Sequence, residues 1–404
     1  GQSVSEVGSS VTTVALPLTA VVLLHASAFQ VGLLSAAGTA SFLLVALPAG
    51  LVVDRIAKRW LMLSCDLARM MIIGSVAVAA AFGVLTLGQL FAVALLSGLA
   101  TVFFDVAYQS YVPSLIERSQ LHDGNGKLGA SQAFAGVVGP SLGGALFSVL
   151  KAGAMSVDAA SYGASTISLL LIRSREPKRP APQPSSTSQP GRGSMRREVF
   201  AGLSFVLHQP VLRKIAACTG SANLFGAMAS ALEVLFLVRV VHLRAAEVGL
   251  LFGIGSLGGI LGGVLAGRLS KWIGTARIIW VSMLVFGAIP IVMPLTAAGP
   301  RLVLFPIASA GLSFTALVYN IAQLSYRQLI TPPELLGRMN AAIRWIVWGT
   351  LPLGGLIGGV LGSASVLGIR PTLWLSVIGS WAAGFWVLFS PLRTMREIPA
   401  DSAR

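Results

Sequence analysis

The chain has 404 residues, of which 55% are hydrophobic and 11% charged, with a mean hydropathy of +0.81. Soluble domains carry about 25% charged residues, so too few polar side chains are present here to cover a soluble enzyme. The same figures exclude a disordered chain, and two cysteines, each inside an apolar block, exclude a disulfide scaffold. The apolar residues fall in long blocks, which is the pattern of a polytopic α-helical membrane protein.

The net charge is +15. A nucleic-acid binder gathers its Lys and Arg on a polar domain. Here they occupy short gaps between apolar blocks, as orientation-setting charges do, so the expected partners are the lipid bilayer and a small-molecule substrate, not nucleic acid. Arg outnumbers Lys by 23 to 6, in keeping with a GC-rich bacterial genome.

Taken in chain order, the blocks give twelve spans: 1–25, 29–53, 60–86, 89–114, 125–150, 154–173, 211–238, 246–270, 276–297, 302–329, 338–363 and 371–391. The first block is too long for a cleavable signal peptide and leads directly into a second. It opens at Gly1 without Met, so the first helix is expected to begin upstream. The one long polar segment, 174–195, holds five prolines and many Ser and Gly, which no packed element tolerates. The expected organisation is a six-helix half over 1–173, a cytoplasmic linker over 174–198, a second six-helix half over 199–392 and a cytoplasmic tail over 393–404. Val199 to His208 reads as a short amphipathic stretch on the membrane surface.

If the linker is cytoplasmic, the even-numbered gaps and the tail hold 22 of the 29 basic residues. The opposite face holds five: Lys151, Arg239, Arg244, Arg301 and Arg370. That bias places both termini in the cytoplasm and the chain in the cytoplasmic membrane.

An internal repeat relates the halves. Gln30-Val31-Gly32-Leu33-Leu34 and Glu247-Val248-Gly249-Leu250-Leu251 match at an offset of 217. The same offset aligns Gly50–Ala57 with Gly267–Gly274, Asp54 with Lys271, and Glu6 with Asn223. Two parallel six-helix copies around a central axis are a known transporter plan, with substrate bound between the halves near the midplane.

Three spans carry narrow polar faces on apolar helices: Ser3, Glu6, Ser10, Thr13 and Pro17 in span 1; Thr219, Asn223, Gly226, Ser230 and Glu233 in span 7; Ser309, Ser313, Asn320, Gln323 and Arg327 in span 10. Ionisable groups inside a membrane cost about 2.5–3.5 kcal/mol each on insertion scales and are functional candidates by default. Glu6 is the first candidate for the proton-titrating group, Asp105 of span 4 the second and Glu233 the third. Arg344 of span 11 either partners one of these acids or snorkels to the inner face. Asp66 and Arg69 read as a structural charge cluster, and Asp158 as a carboxylate stabilising the start of span 6. The four histidines are scattered, so no metal site is visible, and no nucleotide-binding glycine loop occurs. A proton gradient, with no cofactor, is the expected drive.

Gly50-Leu51-Val52-Val53-Asp54-Arg55-Ile56-Ala57-Lys58-Arg59 resembles the G-x-L-a-D-R-x-G-R-K signature of the major facilitator superfamily, departing at Val52 and Ala57. In span 5, Gly126, Ala135, Gly139, Pro140, Gly143 and Gly144 resemble the motif of antiporters in that superfamily, with Ala135 in place of a glycine. Gly1-Gln2-Ser3-Val4-Ser5, Phe103-Phe104-Asp105 and Gly337-Arg338-Met339-Asn340-Ala341 resemble its branch of enterobactin and macrolide exporters. The resemblance covers the chain outside the linker. It implies that spans 1, 4, 7 and 10 line a central cavity. It also implies that Gly50, Asp54, Arg55, Lys58 and Arg59 form a latch loop locking one conformation, with the Asp near helix 11.

The expected protein is therefore an all-α, twelve-helix transporter, acting as a monomer. Its function reads as proton-coupled export of small amphipathic compounds by alternating access. The residues also admit a proton-coupled importer of a metabolite. A membrane-embedded enzyme would need nucleophile, base or metal ligands clustered at one depth, and no such cluster is legible. A non-transporting structural or sensory relative of this fold is the remaining alternative.

Overall fold

The computed structural model describes residues 1–115, 121–171, 203–332 and 335–397, leaving aside the side chains at 46–48, 50–52, 54–55, 110, 112–115 and 121–127. The expected linker lies outside the described residues. So do the side chains of Asp54 and Arg55 in the latch loop, and Gly50 and Gly126 are described only as helical backbone.

The described chain is helical and contains no strand. The first half comprises α1 (Gln2–Leu18), α2 (Ala28–Arg55), α3 (Lys58–Ala81), α4 (Leu87–Leu115), α5 (Leu121–Leu150) and α6 (Met155–Leu171). The second comprises α7 (Pro210–Arg239), α8 (Ala245–Ile273), α9 (Arg277–Leu284), α10 (Leu304–Ile330), α11 (Leu336–Leu361) and α12 (Ile369–Ala382). In bilayer no water can satisfy a free backbone amide, so the spans are helices that close most of their hydrogen bonds within themselves. A helix over 203–208 precedes α7, and its Val206 is fully buried.

Two spans depart from regular α-helix beside prolines. Past Pro17, α1 continues as a π-helical turn, Thr19–Leu23. The ninth span is α-helical only to Leu284 and then runs as 3₁₀ helix over Phe286–Leu295, where Pro290 and Pro294 remove two backbone donors. Trp381 of α12 donates its indole N–H to the Leu284 carbonyl at 2.9 Å, satisfying a group that this break frees.

The 217-residue offset is also the symmetry of the packing. Within the halves α1 packs on α5 and α2 on α4, as α7 packs on α11 and α8 on α10. Between the halves α2 crosses α11 and α5 crosses α8.

The halves meet unequally at their two ends. At the face of the odd-numbered turns, one apolar core takes Leu18, Phe147 and Met155 from the first half with Leu232, Phe236 and Met293 from the second. At the face of the even-numbered turns two cores stand apart. Met62, Phe104 and Tyr111 belong to one, and Ile215, Val318 and Ile343 to the other. The molecule is thus sealed at the odd face and divided at the even face, where Gly1 and the described C-terminal segment to residue 397 lie.

Candidate functional site

The division between the halves leads into a cavity of about 760 Å³. Its main wall is α1, from Gln2, Ser5, Glu6 and Ser9 through Thr12 and Thr13 to Leu16 and Pro17. At 1.5 Å per residue this wall is about 22 Å long, most of the way across a bilayer core. α4 supplies Thr101, Phe104, Asp105, Tyr108 and Gln109, α5 supplies Gln132, and α7 supplies Ser230 and Ala231. Hydroxyls, amides and aromatic rings alternate with aliphatic side chains, a surface suited to an amphipathic molecule.

Four charged side chains reach this wall: Glu6, Asp105, Asp158 and Arg69. Arg69 forms a buried ion pair with Asp66 one turn earlier on α3. Its guanidinium lies between two rings, 4.3 Å from the centroids of both Phe104 and Tyr162, and its Nη1 donates to Thr101 at 3.5 Å. Stacking on two aromatic faces stabilises a cation that has lost its water. Asp158, in the first turn of α6, accepts from Thr12 of α1 at 2.5 Å and from Ser161 at 3.3 Å. Asp105 lies within the fields of Arg69, Glu6 and Arg344.

Glu6 is half-buried on the cavity wall and accepts a hydrogen bond from Gln2 at 2.9 Å. Thr13 also faces the cavity and donates to the Ser9 carbonyl at 3.0 Å. Asp105 and Arg344 line a second crevice between α2, α4 and α11, where Arg344 stacks on Trp348 at 4.9 Å. Phe42 closes that crevice edge-on against Trp348, with ring centroids 4.5 Å apart.

The remaining candidates lie elsewhere. Ser10 turns away from the cavity onto α5, so close to Gly139 that a Cβ there would overlap its own. Asn223 ties α7 to α11 through the Val347 carbonyl at 3.0 Å. Glu233 is 8% exposed, next to the sealing residues Leu232 and Val234. Asn320 and Gln323 begin a polar chain that continues to Arg327 and Asn340, linking α10 to α11. Gly139 and Gly143 pack on Ser10 and Val11 of α1, Gly144 packs on Gly249 of α8, and Ala135 is buried. Arg59 donates to the Leu169 and Leu170 carbonyls at the end of α6, at 3.1 and 2.9 Å. Lys58 opens α3.

Arg69 and Asp158 are cavity residues that the sequence placed in structural roles. A signal for Asp158 was present: Thr12 and Ser9 sit on the α1 face adjoining the Glu6 stripe, so the polar sector of α1 is wider than a single row.

The family model for the Major Facilitator Superfamily matches residues 1–352. The chain is 26% identical to the multidrug efflux pump Tap of Mycolicibacterium fortuitum, over 98% of this chain and 94% of that protein. It is 27% identical to the enterobactin exporter EntS of Citrobacter koseri, over 71% of this chain and 66% of that one. Among solved structures, the nucleoside transporter NupG superposes with a TM-score of 0.71 at 12% identity, covering 96% of each chain. A bacterial homolog of the human lysosomal transporter Spinster, inward-facing and unoccupied, superposes with 0.71 at 16% identity, covering 97% of this chain and 95% of that one. Likeness at such low identity speaks for the fold. The chain is a multi-pass membrane transporter of the major facilitator superfamily.

Proposed function

We propose that the protein is a proton-coupled exporter of small amphipathic compounds such as drugs, macrolides or siderophores, working by alternating access in the cytoplasmic membrane. The even face is assigned to the cytoplasm on the distribution of Lys and Arg. The carrying observation is the cavity itself: it leads in from the even face and bears Glu6 and Asp105 on a wall of mixed polarity. The names of the two exporting relatives favour the outward direction.

In this reading substrate enters from the cytoplasm or inner leaflet and lies along α1 and α4. Glu6 and Asp105 exchange protons, so that charge and substrate occupy the wall in alternation. A membrane potential near ~150 mV supplies about 3.5 kcal/mol per proton moved inward. At 1.4 kcal/mol per tenfold, that supports a gradient of about 300-fold for a neutral solute.

The test uses the full-length chain in a bacterial host deprived of its own pumps. Efflux of ethidium and erythromycin is followed with and without an uncoupler, for wild type and Glu6→Gln. Uncoupler-sensitive efflux, slowed about tenfold or more in the variant, is expected for a coupling group. Efflux untouched by both the uncoupler and Glu6→Gln overturns proton coupling. Uptake that rises on energisation overturns export.

A further inference from the structure

A second polar pocket, of about 640 Å³, lies at the even face, far along the chain from the transport cavity. It is built at the α8–α9 turn. Gly274 there has φ +111°, and a Cβ on it would lie 2.3 Å from the Arg396 carbonyl oxygen. Glycine therefore lets the C-terminal segment lie directly on the turn, where Ala276 N–H donates to the Arg396 carbonyl at 3.2 Å. The walls are Trp272, Arg277, Trp280, Arg393 and Arg396, with Ile273 and Val281.

The lining side chains carry only donors: three guanidinium groups and two indole N–H groups. Among the described residues no carboxylate lines the pocket and none of the three arginines forms an ion pair. The indole N–H of Trp280 is buried without an acceptor among the described residues. Trp272 is 78% exposed at the end of its helix, the position of an interfacial aromatic anchor. The repeat sharpens the contrast, because Lys271 stands where the first half has Asp54. This corner thus offers charge and donors to an acceptor-only anion at the depth of lipid headgroups.

We propose that this pocket binds the phosphate headgroup of an anionic membrane phospholipid. Arginine forks bind phosphate oxygens in pairs, and Trp272 lies beside the glycerol and upper acyl region. The headgroup then holds the C-terminal segment against the α8–α9 turn.

Native mass spectrometry of the purified full-length chain tests this with cardiolipin, phosphatidylcholine and inorganic phosphate as probes. The variants are Arg277→Gln/Arg393→Gln/Arg396→Gln in the pocket and, as control, Arg213→Gln/Arg268→Gln, two exposed cations outside it. Wild type is expected to retain cardiolipin about fivefold or more over phosphatidylcholine. The pocket variant is expected to lose that preference while the control keeps it. The single variant Arg393→Gln, on an exposed 3₁₀ turn, gives an intermediate loss that folding failure does not mimic. Absence of preference in wild type, equal loss in the control, or displacement of cardiolipin by millimolar phosphate would each overturn the proposal.

Discussion

A Cβ placed on Gly144 of α5 would lie 2.8 Å from the Cα of Gly249 on α8, and the offset of 217 carries Gly249 onto Gly32 of α2, which meets Gly359 of α11 in the same way. There the corresponding distance, from Gly359, is 2.9 Å. The match extends to the neighbours. Gly143 abuts Val11 as Gly358 abuts its counterpart Met228, and Gly144 faces the Ala245 carbonyl as Gly359 faces that of Ala28. The antiporter-type pattern of α5 therefore has a working copy in α11, with Gly355 in the place of Pro140. Two backbone-to-backbone crossings, one on each side of the axis, seal the odd face.

Gly144→Ala and Gly359→Ala are expected to hold this face open. Alanine favours a helix over glycine by about 1 kcal/mol, so neither helix is weakened. The methyl nevertheless meets backbone that cannot move aside, and overpacking of this kind costs about 1–3 kcal/mol. That shifts an open–closed equilibrium by about 5- to 150-fold. Spin-label distances across the odd-face ends of α2 and α11 should lengthen in both variants, with transport reduced and thermal stability retained. The native cysteines, Cys65 and Cys218, are buried and do not compete for label. Unchanged distances and full transport would show that the seams yield.

Asp105 divides energetic coupling from simple exchange. It borders both the main cavity and the crevice holding Arg344. Asp105→Asn keeps the shape and removes the titration. If Asp105 carries the proton, uphill efflux should fall about tenfold or more while substrate exchange at equal concentrations survives. If it only braces α4 against α11, both should fall together, and Arg344→Gln should reproduce the defect.

Arg69 and Asp66 are expected to act as one unit. Removing either partner of a buried ion pair leaves an uncompensated charge, at a cost of about 3–5 kcal/mol. Asp66→Asn and Arg69→Gln should each lower the melting temperature sharply. The double variant should recover much of the loss, because two neutral amides replace two charges. Arg69→Lys should remain impaired, since an ammonium cannot lie flat between Phe104 and Tyr162, both now at 4.3 Å. Equal melting temperatures for the single and double variants would refute the coupling.

The spans were legible because hydrocarbon thickness fixes their length, and the relation of the halves because Gly32 and Gly249 sit in matching sequence. The cavity face of α1 was only partly legible. Polarity marked Ser3, Glu6, Ser10, Thr13 and Pro17, whereas the wall consists of Gln2, Ser5, Glu6, Ser9, Thr12, Thr13, Leu16 and Pro17. Each residue turns the helix by about 100°, so one misassigned position moves a side chain to another neighbour. Ser10 illustrates the ambiguity. A small hydroxyl serves close helix packing in a membrane as well as it serves a wet cavity, and opposite Gly139 it does the former. Asp158 carried the opposite ambiguity, since a carboxylate at a helix start has a local reason to be there. Only the fold brings Thr12 of α1 to it.

Arg327 gives the last prediction. It is 7% exposed, and its bonds among the described residues run to neutral amides: Nη1 to Gln323 at 3.1 Å and Nη2 to Asn340 at 2.5 Å, with Nε buried and without a partner among those residues. A hydrogen bond to a charged group contributes about 1.5–3 kcal/mol, so Asn340→Ala should lower the melting temperature by loosening α10 from the start of α11. Asn340→Asp keeps the acceptor geometry and adds an anion beside a desolvated cation that has none paired with it among the described residues. It should raise the melting temperature above wild type, with the gain largest at neutral pH and lost as acid protonates the new carboxyl. Differential scanning fluorimetry of the three proteins from about pH 3 to about pH 8 decides the matter, since an aspartate paired with a cation protonates only below its ordinary value of about 3.9. If Asn340→Asp is no more stable than Asn340→Ala, the charge of Arg327 is already matched from outside the described residues, and the amide chain is then a bridge between helices and not the sole counterweight to the cation.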